Sequence, residues 1–187
     1  MSVWEGGVRT PAAVWWPGVI EGGRKVETPI VNVDLMPTLV KACGGKAEGE
    51  RPLDGVDVMD VLTGKGAGEA VKSRDLYFFT GQTGLENEQL AITSGDGWKL
   101  VVVGPDVRRA EGISSAKHKV QLFHLSEDLE EKTDLAAREP ERVKAMGAKL
   151  VEFRKSEPKR SLPPINRKPA RFEPPVNWHN GPAEGKK

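Results

Sequence analysis

Leu90-Ala-Ile-Thr-Ser-Gly-Asp-Gly-Trp-Lys-Leu-Val-Val-Val103 reads as a β-hairpin. Two apolar runs, Leu90–Thr93 and Trp98–Val103, flank Ser94-Gly95-Asp96-Gly97. Those four residues offer the short polar side chains and free backbone that a tight turn needs. The pattern extends outward. Leu76-Tyr-Phe-Phe-Thr80 is an aromatic-rich strand on one side, and Val120-Gln-Leu-Phe-His-Leu125 is a fourth strand on the other. From about Pro140 to about Lys155 the period changes to that of a helix. Val143, Met146, Leu150 and Phe153 form its apolar stripe, with Arg142, Lys144, Lys149 and Glu152 on the wet side. Short antiparallel strands and one amphipathic helix predict an α+β unit, with the helix covering one face of the sheet.

Upstream, Ala13-Val-Trp-Trp16 is closed by Pro17-Gly18 and predicts a short buried strand. Asp34 is a good N-cap for a helix in which Leu35, Met36, Leu39, Val40 and Cys43 recur at helical spacing. Pro37 sits in its first turn, where a missing N–H is tolerated, and Gly44-Gly45 ends it. On this reading Cys43 packs in the core as a small hydrophobe. Leu62-Thr63-Gly64 closes a further helical turn. Downstream, Ser156–Lys187 has no strand or helix period and holds seven of the 14 prolines. It reads as an extended or disordered basic tail, with Phe172 and Trp178 interleaved. Binding of an anionic polymer is the alternative use of that tail.

Composition sets outer limits. The 187 residues are 37% hydrophobic and 29% charged, within reach of a soluble globular protein. No run of about 20 apolar residues is present, which excludes a transmembrane helix. Lys+Arg is 28 and Asp+Glu 27, so a net charge of +1 gives no whole-chain case for nucleic acid. One cysteine allows no internal disulfide. The opening Met-Ser-Val-Trp-Glu-Gly-Gly has no basic region followed by an apolar one, so no signal peptide is expected in it.

Catalytic motifs are scarce. His118, His124 and His179 fall in a loop, a strand and the tail. Asp54 and Asp57 flank Gly55 without the ligand pattern of a calcium loop. Gly45-Lys46-Ala47 and Gly64-Lys65-Gly66 fail as phosphate-binding loops. No Gly-x-Ser-x-Gly elbow supports a serine triad.

Val3-Trp-Glu-Gly-Gly-Val-Arg-Thr-Pro11, followed by Trp16-Pro-Gly18, is far from generic. Trp4, Glu5, Gly6, Gly7, Arg9 and Pro11 carry a pattern that resembles formylglycine-dependent sulfatases of the arylsulfatase type. The resemblance continues in order. Asp34 and Pro37 of Val33-Asp-Leu-Met-Pro-Thr-Leu39 match a helix start of the family. Asp54 and Gly55 match a Leu-Asp-Gly stretch, and Trp98-Lys99-Leu100 matches its hairpin, with Arg74-Asp-Leu76 before it. Leu122-Phe123, Leu125, Asp128, Glu131 and Leu135-Ala136 follow suit, so the likeness covers roughly residues 2–155. Thr93, Gly97, Asp60, His124, Leu129 and Asp134 depart from it at turns and strand ends.

The resemblance implies a C-terminal portion only. Residues 1–68 would be a remnant of the large α/β sulfatase domain of alkaline-phosphatase-like fold. Residues 69–155 would be the small domain with a four-stranded antiparallel sheet and one helix, and 156–187 the Pro-rich basic tail. The family hydrolyses sulfate esters with a formylglycine nucleophile made from Cys/Ser-x-Pro-x-Arg and with calcium. Cys43 lacks that context, and Ser156-Glu-Pro-Lys-Arg160 fits it literally but at a helix exit. No catalytic or metal-binding residue is therefore assigned, the substrate-binding residues stay unassigned, and the chain alone is expected to bind no calcium and to be inactive. A sulfate-ester substrate would be met only through the rest of such a fold. No nucleic acid or membrane partner is expected, and self-association is expected through exposed sheet edges. By resemblance the setting is periplasmic, extracellular or lysosomal. A module recognising sulfated glycans, and a phosphate or phosphonate monoester hydrolase of the same superfamily, are the alternatives.

Overall fold

The computed structural model describes residues 2–46, 53–66, 68–81, 86–108 and 112–156. The chain divides into two units, and the first, which ends at Lys155, holds every helix and strand of the described residues. Phe172, Trp178, His179 and the Ser156–Arg160 match past Ser156 lie outside the described residues.

Four strands form one antiparallel sheet in sequential order: β1 (Leu76–Thr80), β2 (Glu88–Thr93), β3 (Trp98–Gly104) and β4 (Lys119–His124). The predicted hairpin joins β2 and β3. Ser94 N–H donates to Trp98 C=O at 2.8 Å, and Gly97 takes a φ of 86°, the left-handed conformation that glycine reaches without strain. Strand alternation then sorts side chains to two faces. Tyr77, Ile92, Leu100 and Leu122 stand opposite one another in register on one face. Phe78, Ala91 and Val101 stand in register on the other, with Phe123 in the same cluster.

Different elements cover the two faces. Helix α5 (Pro140–Lys155) lays Met146 and Leu150 over Leu90, Ile92, Leu100, Val102 and Leu122. Each large apolar side chain buried this way is worth about 1.5–3 kcal/mol relative to exposure. The N-terminal segment covers the other face, with Val3 and Trp4 on Ala91, Val101 and Phe123. A short helix, α1 (Glu5–Val8), follows them. Of the two sheet edges, β4 is partly occupied. Leu122 N–H donates to Asp134 Oδ1, and Leu122 C=O accepts from Leu135 N–H.

Upstream of the sheet lie a 3-10 turn (Asn32–Asp34) and helices α2 (Leu35–Ala42), α3 (Met59–Thr63) and α4 (Glu69–Lys72). Val58, Val61 and Val71 make a small separate core here, joined by Ile30, Val56 and Leu62. No helix among the described residues is long and apolar enough to cross a membrane.

Three sequence readings need correction. Ala13–Trp16 is not a strand: it is irregular and exposed, with Trp15 at 88% exposure. No neighbouring strand pairs with it, so its apolar character produces no ladder. Asp34 stands just before α2, but its side chain makes no cap hydrogen bond to that helix, because Val31 N–H and Arg74 draw the carboxylate the other way. Cys43 is exposed, not packed. The reason is the orientation of α2, which turns Pro37 and Thr38 inward and Leu35, Met36 and Leu39 outward. Helical period fixes which side chains share a face but not which way that face points.

Candidate functional site

The motif residues converge on two buried ion-pair clusters. In the first, the Lys99 side chain leaves β3 on the face opposite α5 and is fully buried. Its ammonium lies 2.7 Å from Glu5 Oε1 and 3.0 Å from Glu131 Oε1. Glu131 Oε2 also accepts the backbone N–H of Glu5 at 2.7 Å. Burying a lone ammonium would be prohibitive, so the two carboxylates are what allow lysine at this position. Glu131 takes a φ of 54°, a left-handed conformation that costs a non-glycine residue of order 1 kcal/mol. Arg9 lies 3.7 Å from the other oxygen of Glu5 and reaches Glu27 at 3.5 Å.

Of the two glycines beside Glu5, Gly7 has a steric reason, while Gly6 faces open space. A Cβ on Gly7 would collide with the carbonyl oxygen of Ser2. Trp4 is half-buried against the sheet, while Gly6, Gly7 and Pro11 are exposed.

The second cluster centres on Asp34, fully buried ahead of α2. Arg74 donates to both its oxygens, at 2.5 and 2.6 Å, and the N–H groups of Val31 and Val56 donate at 2.9 and 3.1 Å. Burial pushes the Asp34 carboxyl upward, but the hydrogen bonds from Arg74, Val31 and Val56, with the guanidinium charge, outweigh it and hold the pKa below the usual aspartate value. Thr38 continues the cluster. Its hydroxyl donates to Asp34 C=O at 2.6 Å and accepts from Val58 N–H at 3.0 Å. Gly55 sits against Val33, whose carbonyl oxygen leaves no room for a Cβ. Pro37 is buried within α2, whereas Asp54 is exposed. The carboxylate of Asp57 is engaged by Lys41 at 2.6 Å.

Elsewhere several polar side chains are also committed. Trp98 carries Arg142 on its ring at 4.5 Å and tilts against His124 with ring centroids 4.7 Å apart. An open groove of about 740 Å³ runs beside α5, where Arg142 pairs with Asp96 at 2.8 Å and Lys149 with Asp75 at 2.6 Å. His118 is buried, receiving Ser114 N–H at Nδ1 and facing Pro105 C=O from Nε2, so it is a loop staple. Ser126 Oγ lies 3.3 Å from His124 Nδ1 and 3.5 Å from Nε2, beside the ring, and Glu127 approaches Nδ1 as well. A triad needs serine on one nitrogen and the acid on the other, which this turn does not offer.

Calcium does not fit these residues. Among the described residues no three His, Cys, Asp or Glu side chains gather to hold a metal ion. The carboxylates that do come close, Glu5 and Glu131, are neutralised by Lys99.

Glu131 and Arg74 complete the clusters; the sequence reading quoted both within family-like stretches but gave neither a partner or a role. Arg74 ahead of a strand, and a lysine inside the apolar run Trp98–Val103, were the available signals. A lysine at an inward strand position must have a buried acid, although period cannot say which.

No protein-family model matches the chain. Steryl-sulfatase of Rattus norvegicus is 44% identical over 63 residues, 34% of this chain and 11% of that protein. Arylsulfatase G of Rattus norvegicus is 29% identical over 143 residues, 75% of this chain and 27% of that protein. The chain thus spans about a tenth to a quarter of the length of these relatives. Among solved structures, that of the putative sulfatase yidJ from Bacteroides fragilis superposes with a TM-score of 0.52 at 18% identity, over 75% of this chain and 28% of that one. That likeness is one of fold.

Proposed function

We propose that this chain, which belongs to the sulfatase family of arylsulfatase type, supplies the C-terminal packing part of a sulfuric ester hydrolase and does not turn over substrate by itself. The observation that carries the reading is the convergence of its motifs. Glu5, Lys99 and Glu131 come from three separate motif stretches and meet in one buried cluster, with Glu5 and Lys99 94 residues apart. Asp34, Gly55 and Arg74 come from three others and meet in the second. These motif residues hold backbone segments together.

In this reading residues 1–68 are the edge of the large α/β domain, 69–155 the small α+β domain and 156–187 an appended tail. Both clusters stitch across the first boundary. Hydrolysis of a sulfate ester needs an aligned nucleophile and neutralisation of charge on the sulfate oxygens. The cations of the two clusters, Lys99 and Arg74, are spent on buried carboxylates, so in this reading those tasks fall to the rest of a sulfatase fold, as does any calcium. The compartment that suits the reading is exported or lysosomal. The test is direct: purified chain is incubated with an aryl sulfate ester and calcium, and free sulfate is measured. The expected result is no release above the blank, and release above it overturns the reading.

A further inference from the structure

Strand β1 is the open edge of the sheet. In the order β1-β2-β3-β4 it has a neighbour on one side only. Among the described residues no loop or turn backbone bonds its outer side, whereas β4 is partly capped by Asp134 and Leu135. Alternate residues of an edge strand point N–H and C=O outward, and another strand satisfies them best. Leu76-Tyr-Phe-Phe-Thr80 lacks the devices that keep such edges apart. It holds no charge and no proline, and its register with β2 runs through all five residues without a bulge. Its rings are already held. Tyr77 stacks on Phe153 at 4.7 Å, Phe79 lies under Arg154 at 4.3 Å, and Phe78 packs with Ala91 and Val101. The edge is thus a fixed, uncharged template.

We propose that β1 is an interface to a second copy of this chain, joined edge to edge about a twofold axis at Phe78. The strand itself argues for that occupant. A twofold axis normal to the sheet lays β1 antiparallel to its copy, the sense in which it already pairs with β2. Centred on Phe78, the pairing sets Phe78 opposite the partner's Phe78, Tyr77 opposite the partner's Phe79 and Leu76 opposite the partner's Thr80. Any other centre leaves part of the strand unpaired. Tyr77 and Phe79 both stand on the α5 face, so aromatic cross-strand pairs form there. No like charges meet. Asp75, held by Lys149 at 2.6 Å, comes opposite the partner's Gly81. A ladder this short is small for an interface, so the dimer is reversible.

The experiment follows sedimentation of the purified full chain from about 1 μM to about 1 mM, the range suited to a small interface. Hydrogen exchange of the Leu76–Thr80 stretch is read by mass spectrometry over the same range. The expected result is a monomer that becomes a dimer as concentration rises, while exchange in β1 slows about tenfold. Opposite residues of an antiparallel pair have Cα atoms about 4.5–5.5 Å apart, within reach of a disulfide. With the sole cysteine removed by Cys43→Ser, Phe78→Cys is therefore expected to link two copies. In the same background Tyr77→Cys and Phe79→Cys link in a mixture about tenfold faster than either does alone. Ala148→Cys on the exposed side of α5 gives no link, and circular dichroism confirms that each variant is folded. A wild-type monomer throughout overturns the interface. So does a dimer whose β1 exchanges as fast as in the monomer, because another surface then joins the copies. A monomer whose β1 is slow at every concentration also overturns it, because the edge is then covered from within the chain. Tyr77→Cys linking to itself as fast as to Phe79→Cys overturns the pairing about Phe78.

Discussion

The sheet and the segment upstream of it treat apolar side chains in opposite ways. From β1 onward, Leu90, Ile92, Leu100 and Leu122 are sealed beneath α5, and Ala91, Val101 and Phe123 beneath Val3 and Trp4. Upstream, Trp15, Leu35, Met36 and Leu39 face out. The two regions use similar residues, so composition does not separate them. The difference is whether a second layer is at hand. A four-stranded sheet with a helix on one face and a strap on the other is closed. Helix α2 turns Pro37 and Thr38 inward and leaves Leu35, Met36 and Leu39 uncovered among the described residues.

The sharpest way to break this contrast is at Lys99. Lys99→Met removes the cation and leaves Glu5 and Glu131 facing each other, with an expected loss of about 3–5 kcal/mol in urea unfolding. Adding Glu5→Gln and Glu131→Gln is expected to recover much of it. An unchanged midpoint for Lys99→Met would show that the strap does not close the sheet. Next, Leu100→Ala under α5 is expected to lower stability by about 3 kcal/mol through the cavity it leaves.

A smaller effect belongs to the upstream segment's own anchor. Asp34→Asn weakens the pairing with Arg74, at an expected cost of about 2 kcal/mol near neutral pH. The Asp34 pKa is lowered by folding, so its contribution is full above the ordinary aspartate value and fades as pH falls through the lowered one. The difference between wild type and Asp34→Asn in urea midpoint should therefore shrink below about pH 4. A gap that persists at lower pH would locate the effect in packing. Smallest of all, Trp15→Ala is expected to change stability by less than about 0.5 kcal/mol. A larger loss would show that Trp15 packs within this unit after all.

The sheet was legible because its information is local. Ser94–Gly97 specifies the turn and alternation specifies the faces, and α5 runs from Pro140 to Lys155 as its stripe predicts. The clusters were legible only as residues quoted from a resemblance. Nothing in the spacing of Glu5 says that it meets Lys99, and no propensity places Glu131 in a left-handed conformation. The misread strand at Ala13–Trp16 and the misplaced Cys43 have one cause. Apolar character marks a side chain that can be buried, but it does not say whether an element of this unit covers it.

The strap also bears on the order of events at the ribosome. Val3, Trp4 and Glu5 are made before the sheet, and their seat is not complete until Lys99, Phe123 and Glu131 have been synthesised. The hairpins of the sheet close over a few residues, whereas the Glu5–Lys99 contact spans 94. At about 5–20 residues per second the strap waits at least roughly 5–20 s for its sheet. During that interval Val3, Trp4 and Glu5 are present without the sheet face and the lysine that seat them. The meander is therefore expected to form first and the strap to dock last.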